Sequence, residues 1–182
     1  MVYVFLADGF EEIEALTPVD VLRRAGVDVT TVGVTGECPT GSHKIKVASD
    51  ITAEEAERRL DRDDLEMIVL PGGMPGAENL DASPVVSRFI DAAMEKDAYI
   101  AAICAAPMIL GKRGLLEGKF ATCYPGFEKY LTGANYHDVA VTLDGNIITS
   151  NGMGSALDFA LQLVSVLKGE AESERIADAV MA

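Results

Sequence analysis

Apolar positions along the chain fall into two alternating patterns. Val2 to Ala7, Met67 to Leu70 and Tyr99 to Ile103 are short apolar runs, the signature of strands buried on both faces. Val27 to Val34 alternates as a further strand, and Lys44 to Ala48 predicts a short one. Between these runs the spacing becomes helical. Ile13, Leu16, Val19 and Leu22 would share one helix face, but Pro18 predicts an interruption. Glu11 to Leu16 then forms a short first turn. A second start follows, capped by Thr17, with Pro18 at N1 and Asp20 at N3, and Gly26 closes it.

Thr52 and Glu55 predict a capping box for a polar helix over Ala53 to Leu60, and Ser83-Pro84 opens another to about Lys96. Ala105 to Lys112 reads as a helix and Phe120 to Cys123 as a strand, and Pro125-Gly126 predicts a helix to about Leu131. Asp144-Gly145 between Val139–Leu143 and Asn146–Thr149 is a two-residue hairpin signal. Ser155 to Leu167 is an apolar helix and Glu172 to Met181 an amphipathic one. No linker, low-complexity tract or repeat interrupts this order, so residues 1–182 are expected to form a single domain. Strands alternating with helices place it in the α/β class, with a mostly parallel sheet. In such sheets chemistry gathers at the carboxyl ends of the strands.

Composition narrows the function. A length of 182 residues with 49% apolar and 24% charged residues is an ordinary globular balance. The net charge of −14 argues against a nucleic-acid partner and against anionic membrane surfaces. Three cysteines, two histidines and no CxxC spacing argue against a zinc site. The opening MVYVFLADGFEE lacks a basic signal-peptide region, and no apolar run approaches a membrane span. The expectation is a reducing cytoplasm with free thiols.

Cys104 is the single residue between a predicted strand and a predicted helix. Such a turn is tight and often strained, and it projects its side chain at the carboxyl edge of the sheet. Ala101, Ala102, Ala105 and Ala106 let backbones approach, and Pro107 suits a first helical turn. Free N–H groups there predict a lowered thiol pKa and a nucleophilic or oxidisable sulfur. The plainer alternative is a small buried hydrophobe. Asp8 to Glu14, Pro71 to Gly76, Cys104 to Pro107 and Ser150 to Gly154 all follow strand ends and can converge on one rim. The N–H groups of Gly73 and Ala105 are then candidate oxyanion donors. Gly72, Tyr124 and Asn151 are candidate pocket residues. Of Glu11, Glu12 and Glu14, which cannot share one helix face, Glu14 sits between Ile13 and Ala15 and is expected to point inward. Beside a thiolate it would hold a proton; otherwise all three are solvated acids at a helix start.

The blocks EEIEALTPVDVLRRAG, LPGG, AAICAAP and TSNGMGSALDFAL resemble the ThiJ/PfpI family, and within it the branch of the parkinsonism-associated protein deglycase. The resemblance runs from Val2 to about Gly169. It implies a flavodoxin-like three-layer sandwich and a homodimer with contacts around Glu11, Asp20 and Arg24. It also implies a nucleophilic, easily oxidised Cys104, a carboxylic-acid partner Glu14 and an oxyanion glycine, Gly73. Where many relatives carry a histidine near the cysteine this chain has Tyr124, so no Cys–His dyad is expected. A dimer-side arginine appears as His43. Ala105 in place of a histidine counts against peptidase activity, and His137 in the polar turn NYHD reads as an exposed loop residue. The implied activity is cofactor-free: conversion of small reactive carbonyls such as methylglyoxal to 2-hydroxy acids, or deglycation. The alternative is a redox-sensing stress protein or chaperone whose Cys104 oxidises to sulfinate. A third reading is a scaffold whose activity has lapsed with the histidine.

Overall fold

A computed structural model describes residues 1–61 and 64–182. Among the described residues nine strands form: β1 (Val2–Leu6), β2 (Val29–Gly33), β3 (Ile51–Thr52), β4 (Met67–Leu70), β5 (Tyr99–Ile103), β6 (Phe120–Ala121), β7 (Asn135–Tyr136), β8 (Val141–Asp144) and β9 (Ile147–Ser150). Seven of them make one sheet in the order β3-β2-β1-β4-β5-β9-β8. Every pairing in it is parallel except β8 with β9, the hairpin that Asp144-Gly145 closes. β6 and β7 pair with each other, apart from that sheet.

The central strands are buried on both faces, as their unbroken apolar runs require. On one face Tyr3, Phe5, Ile68, Leu70, Ile100 and Ala102 meet α2 (Ala53–Arg59), α3 (Gly76–Asp81), α4 (Pro84–Glu95) and α5 (Pro107–Lys112). Phe89 packs edge-on against Tyr3 and Phe5, with ring centroids 4.9 and 5.0 Å away. On the other face Val2, Val4, Leu6, Val69 and Ile103 meet α1 (Glu12–Arg24), α6 (Ala156–Lys168) and α7 (Glu170–Val180). The result is the expected three-layer sandwich. From β1 the chain runs to β2 on one side and later to β4 on the other, so a crevice opens at the carboxyl ends of β1 and β4.

Several local expectations change. Pro18 does not divide the first helix; α1 runs through it. The residue leaves one carbonyl without its helical partner, at a cost of about 3 kcal/mol. Burial of Ala15, Val19 and Leu22 against the sheet and α6 opposes that cost, at roughly 1.5–3 kcal/mol per large side chain. Lys44 to Ala48 is no strand: one bridge joins Thr40 to Lys46 within a loop. After Gly126, whose φ of 95° ends any right-handed run, only a 3-10 turn forms at Glu128–Tyr130. Half of the capping box is realised: Thr52 Oγ1 accepts the Glu55 N–H at 3.3 Å, while the Glu55 side chain turns to Arg59. Helix α3 falls in a stretch to which the pattern assigns no element, and α5 begins at Pro107, not Ala105.

Candidate active site

Cys104 adopts φ 64°, a left-handed conformation that costs a residue with a side chain about 1–3 kcal/mol. Two backbone bonds hold it there. Its N–H donates to Ser150 O at 2.8 Å, and its carbonyl accepts the Tyr124 N–H at 2.9 Å. The strand-to-helix turn is therefore pinned by β9 on one side and by the loop after β6 on the other. The thiol is half-buried.

Glu14 reaches the sulfur from α1 and is 1% exposed. Its Oε2 accepts the Gly72 N–H at 3.1 Å, and the Met153 N–H and the Cys104 thiol lie near enough to favour the ionised carboxylate. Gly72 leaves no room for a larger residue: an added Cβ would lie 2.6 Å from Cys104 Cβ and 2.6 Å from Glu14 Oε2. The Glu11 N–H donates to Gly72 O at 2.9 Å, which ties the start of α1 to the turn after β4. Gly73 follows with φ 84°, and its N–H and that of Ala105 face the sulfur and favour its anionic form. The two candidate oxyanion donors thus converge on one atom.

Electrostatics in the pair differ from the sequence expectation. Burial pushes the Glu14 carboxyl up to about 7, and the charge of Glu11 adds to the rise; the hydrogen bonds from Cys104, Gly72 and Met153 pull against it. Burial also pushes the Cys104 thiol up to about 12, reinforced by the adjacent Glu14 charge and hydrogen bond and opposed by the N–H groups of Gly73 and Ala105. The predicted lowering of the thiol pKa is therefore reversed. Cys104 lies two residues before the cap of α5, a six-residue helix, so the N–H donors near it are too few to offset burial beside a carboxylate. With Glu14 ionised the thiol keeps its proton, and that carboxylate is placed to take it.

The remaining candidates separate. Tyr124 is half-exposed, and its ring lies against Gly152, where an added Cβ would sit 3.3 Å from Cδ2. It offers no proton-transferring ring nitrogen, so Tyr124 cannot form a Cys–His-type dyad with Cys104. Asn151 is occupied otherwise: its Oδ1 accepts from Ser155 Oγ at 2.7 Å. Ser155 in turn shares a proton with Ser150 Oγ at 2.7 Å, a network that holds the turn after β9. His137 is exposed, with its ring tilted against Phe120 at 4.6 Å between centroids, a loop residue as expected. Cys123 is fully buried and Cys38 exposed.

Sequence reasoning missed a second inward acid. Glu12 is 5% exposed; its Oε1 accepts the N–H groups of His43 at 2.9 Å and Ile45 at 3.3 Å. Gly41 makes space for it, since a Cβ there would lie 2.2 Å from Glu12 Oε1. The partners come from a loop about thirty positions away, and no spacing along the chain announces them.

A cysteine at a left-handed strand-to-helix turn on the rim of a parallel sheet defines the nucleophile-elbow class of α/β proteins. The particular kind follows from comparison with known proteins. The DJ-1/PfpI family matches residues 1–166, and the chain belongs to that family. It is 39% identical over 170 residues to the Parkinson disease protein 7 homolog of Danio rerio, covering 91% of this chain and 88% of that one. It is 30% identical over 161 residues to the glutathione-independent glyoxalase DJR-1.2 of Caenorhabditis elegans, covering 87% and 83%. Among solved structures, oxidized DJ-1 of Toxoplasma gondii superposes with a TM-score of 0.92 at 34% identity, covering 99% of this chain and 97% of that one. DJ-1beta of Drosophila melanogaster gives 0.92 at 35%, covering 100% and 97%.

Proposed function

We propose that the protein is a glyoxalase needing no cofactor, which converts a 2-oxoaldehyde such as methylglyoxal to a 2-hydroxy acid. The observation that carries this reading is the buried contact between Cys104 and Glu14, with the N–H groups of Gly73 and Ala105 on the same sulfur. As sulfur adds to the aldehyde carbon, the thiol proton passes to the Glu14 carboxylate and then to the new alkoxide, giving a hemithioacetal. The Gly73 and Ala105 N–H groups stabilise that oxygen while it is negative. Glu14 then removes the proton from the former aldehyde carbon and returns it to the neighbouring carbonyl carbon, while the hydroxyl proton passes from the first oxygen to the second through the enediol, leaving a 2-hydroxy thioester. Water cleaves the thioester, releasing the hydroxy acid and restoring the thiol. A carboxyl poised near 7 suits both directions of this transfer. Family kinship with a protein named as a glutathione-independent glyoxalase supports the same chemistry. Removal of early glycation adducts would begin with the same attack on a carbonyl-derived carbon.

The test is lactate formation from methylglyoxal by the purified protein, before and after mild peroxide. Turnover that is abolished in Cys104→Ala and by peroxide supports the enzyme. No turnover in the untreated protein, with clean conversion of Cys104 to sulfinate, moves the assignment to a redox sensor. That second reading is favoured by the same donors, because Gly73, Ala105 and a protonated Glu14 can hold a sulfinate. Either role is proposed for a homodimer built on α1 and the loop around Lys44 to Ala48, where Ile13, Ile45 and Met153 are exposed. Light scattering at micromolar concentration checks it, and a monomeric mass removes it.

A further inference from the structure

Beside the proposed active site, four oxygen and nitrogen atoms come together in a second cluster. Glu11 and Glu12 supply it from the start of α1, and Ser42 and His43 from the loop before β3. His43 Nδ1 lies 3.2 Å from Glu12 Oε2 and 3.5 Å from Glu11 Oε2. Ser42 Oγ lies 3.1 Å from Glu11 Oε2, 3.3 Å from Glu12 Oε2 and 3.1 Å from His43 Nδ1. The ligand atoms of Glu11, Glu12 and His43 all fall within 4.8 Å of one another.

These separations describe the edges of a small tetrahedron. A zinc ion with oxygen and nitrogen ligands at about 2.0–2.1 Å requires edges of about 3.3–3.4 Å. Five of the six edges are already within a few tenths of an ångström of that value. Proton counting points the same way. Among the four atoms there is one hydroxyl hydrogen and, with His43 as the Nε2–H tautomer, no ring hydrogen, so that every atom offers a lone pair. Two carboxylates, one of them only 5% exposed, face each other across this group. A buried carboxylate needs a counter-charge, and a dication neutralises both.

The ligands are also held in place. Glu12 Oε1 is fixed by the backbone N–H groups of His43 and Ile45, which leaves Oε2 for the cluster. The loop itself is tied down by the Ser42 N–H to Phe10 O at 2.8 Å and the Gly9 N–H to Thr40 O at 2.8 Å. The side chains of Ile13, Ile45 and Met153, which also belong to the proposed dimer surface, join Glu11, Glu12 and His43 around a cavity of about 240 Å³, which provides a low-dielectric wall.

We propose that Glu11 Oε2, Glu12 Oε2 and His43 Nδ1, with Ser42 Oγ at the fourth corner, form a binding site for a divalent zinc-like cation. The site is separate from the Cys104–Glu14 pair and does not depend on the glyoxalase assignment.

The full chain carrying Cys38→Ser and Cys104→Ala, which removes competing thiols, is titrated with zinc against a chromophoric chelator. One equivalent should bind. His43→Ala in that background, a change at an exposed side chain, should weaken binding at least about tenfold, since even removal of a metal ligand's hydrogen-bond partner costs about 10–100-fold. Glu11→Gln should weaken it as well, and His137→Ala should not. Cobalt should bind the unsubstituted chain without the intense sulfur-to-metal absorption of thiolate ligation. No binding, or equal affinity in His43→Ala, overturns the proposal.

Discussion

Gly72 N–H donates to Glu14 Oε2 at 3.1 Å, so the acid delivered by the first helix is aimed by the backbone of the turn after β4. The same glycine is in van der Waals contact with the nucleophile, because the space a Cβ would fill is already held by Cys104 Cβ and Glu14 Oε2. One residue without a side chain thereby sets the spacing between acid and sulfur. Productive proton transfer depends on that spacing at the level of tenths of an ångström.

Glu14→Gln keeps a hydrogen-bonding side chain but cannot accept a proton. Turnover of methylglyoxal should fall by about 10² or more if proton transfer limits the rate. In the unsubstituted protein, kcat/KM should rise as pH increases through about 7, where Glu14 becomes the base that takes the thiol proton. In Glu14→Gln that rise should disappear. A rate unchanged in Glu14→Gln removes Glu14 from the chemistry.

Stability should follow the same group with a definite sign. Glu14 has its folded pKa raised from 4.5 to about 7, so between those values the folded state binds more protons than the unfolded chain. The stabilising effect is complete below about 4.5 and is lost as pH rises through about 7. The loss amounts to about 3 kcal/mol at most, by the usual 1.36 kcal/mol per pKa unit. Denaturant melts of Glu14→Gln and the unsubstituted protein across this range should show the substituted chain gaining relative stability toward alkaline pH. Parallel curves would contradict the burial of Glu14 as an acid.

Gly72→Ala should separate the pair. The added methyl meets Cys104 Cβ and Glu14 Oε2 at 2.6 Å, and neither is the end of a free surface chain. A stability loss of about 1–3 kcal/mol is expected from overpacking, with at least a tenfold fall in kcat/KM. Activity equal to the unsubstituted protein would mean that the spacing is not critical.

Mild peroxide should add two oxygens to Cys104 before Cys38 or Cys123. Cys123 is fully buried, and exposed Cys38 lies among Glu37, Asp50 and Glu55, which do not favour an anionic product. Only Cys104 has two N–H donors and a carboxyl to hold a sulfinate. Peptide mass spectrometry settles the order, and faster oxidation of Cys38 would contradict it.

Strand identity and site location could be read along the chain because they depend on local pattern. The double-sided burial of Val2 to Ala7, Met67 to Leu70 and Tyr99 to Ile103 leaves unbroken apolar runs, and a lone cysteine between strand and helix is visible as such. The inward turn of Glu14 was also legible, from its apolar neighbours. Tertiary packing decided the rest. Pro18 lies within a continuous helix because burial against the sheet and α6 opposes its local cost. The thiol pKa goes up because burial and a carboxylate from another element act more strongly than a short helix start. Glu12 is buried, and the Glu11–Glu12–His43 cluster exists, because a loop some thirty residues away folds its N–H groups onto one carboxylate. Periodicity and caps are properties of neighbouring residues. Burial, charge coupling and ligand geometry depend on distances in space, which the order of residues does not specify until the chain has folded.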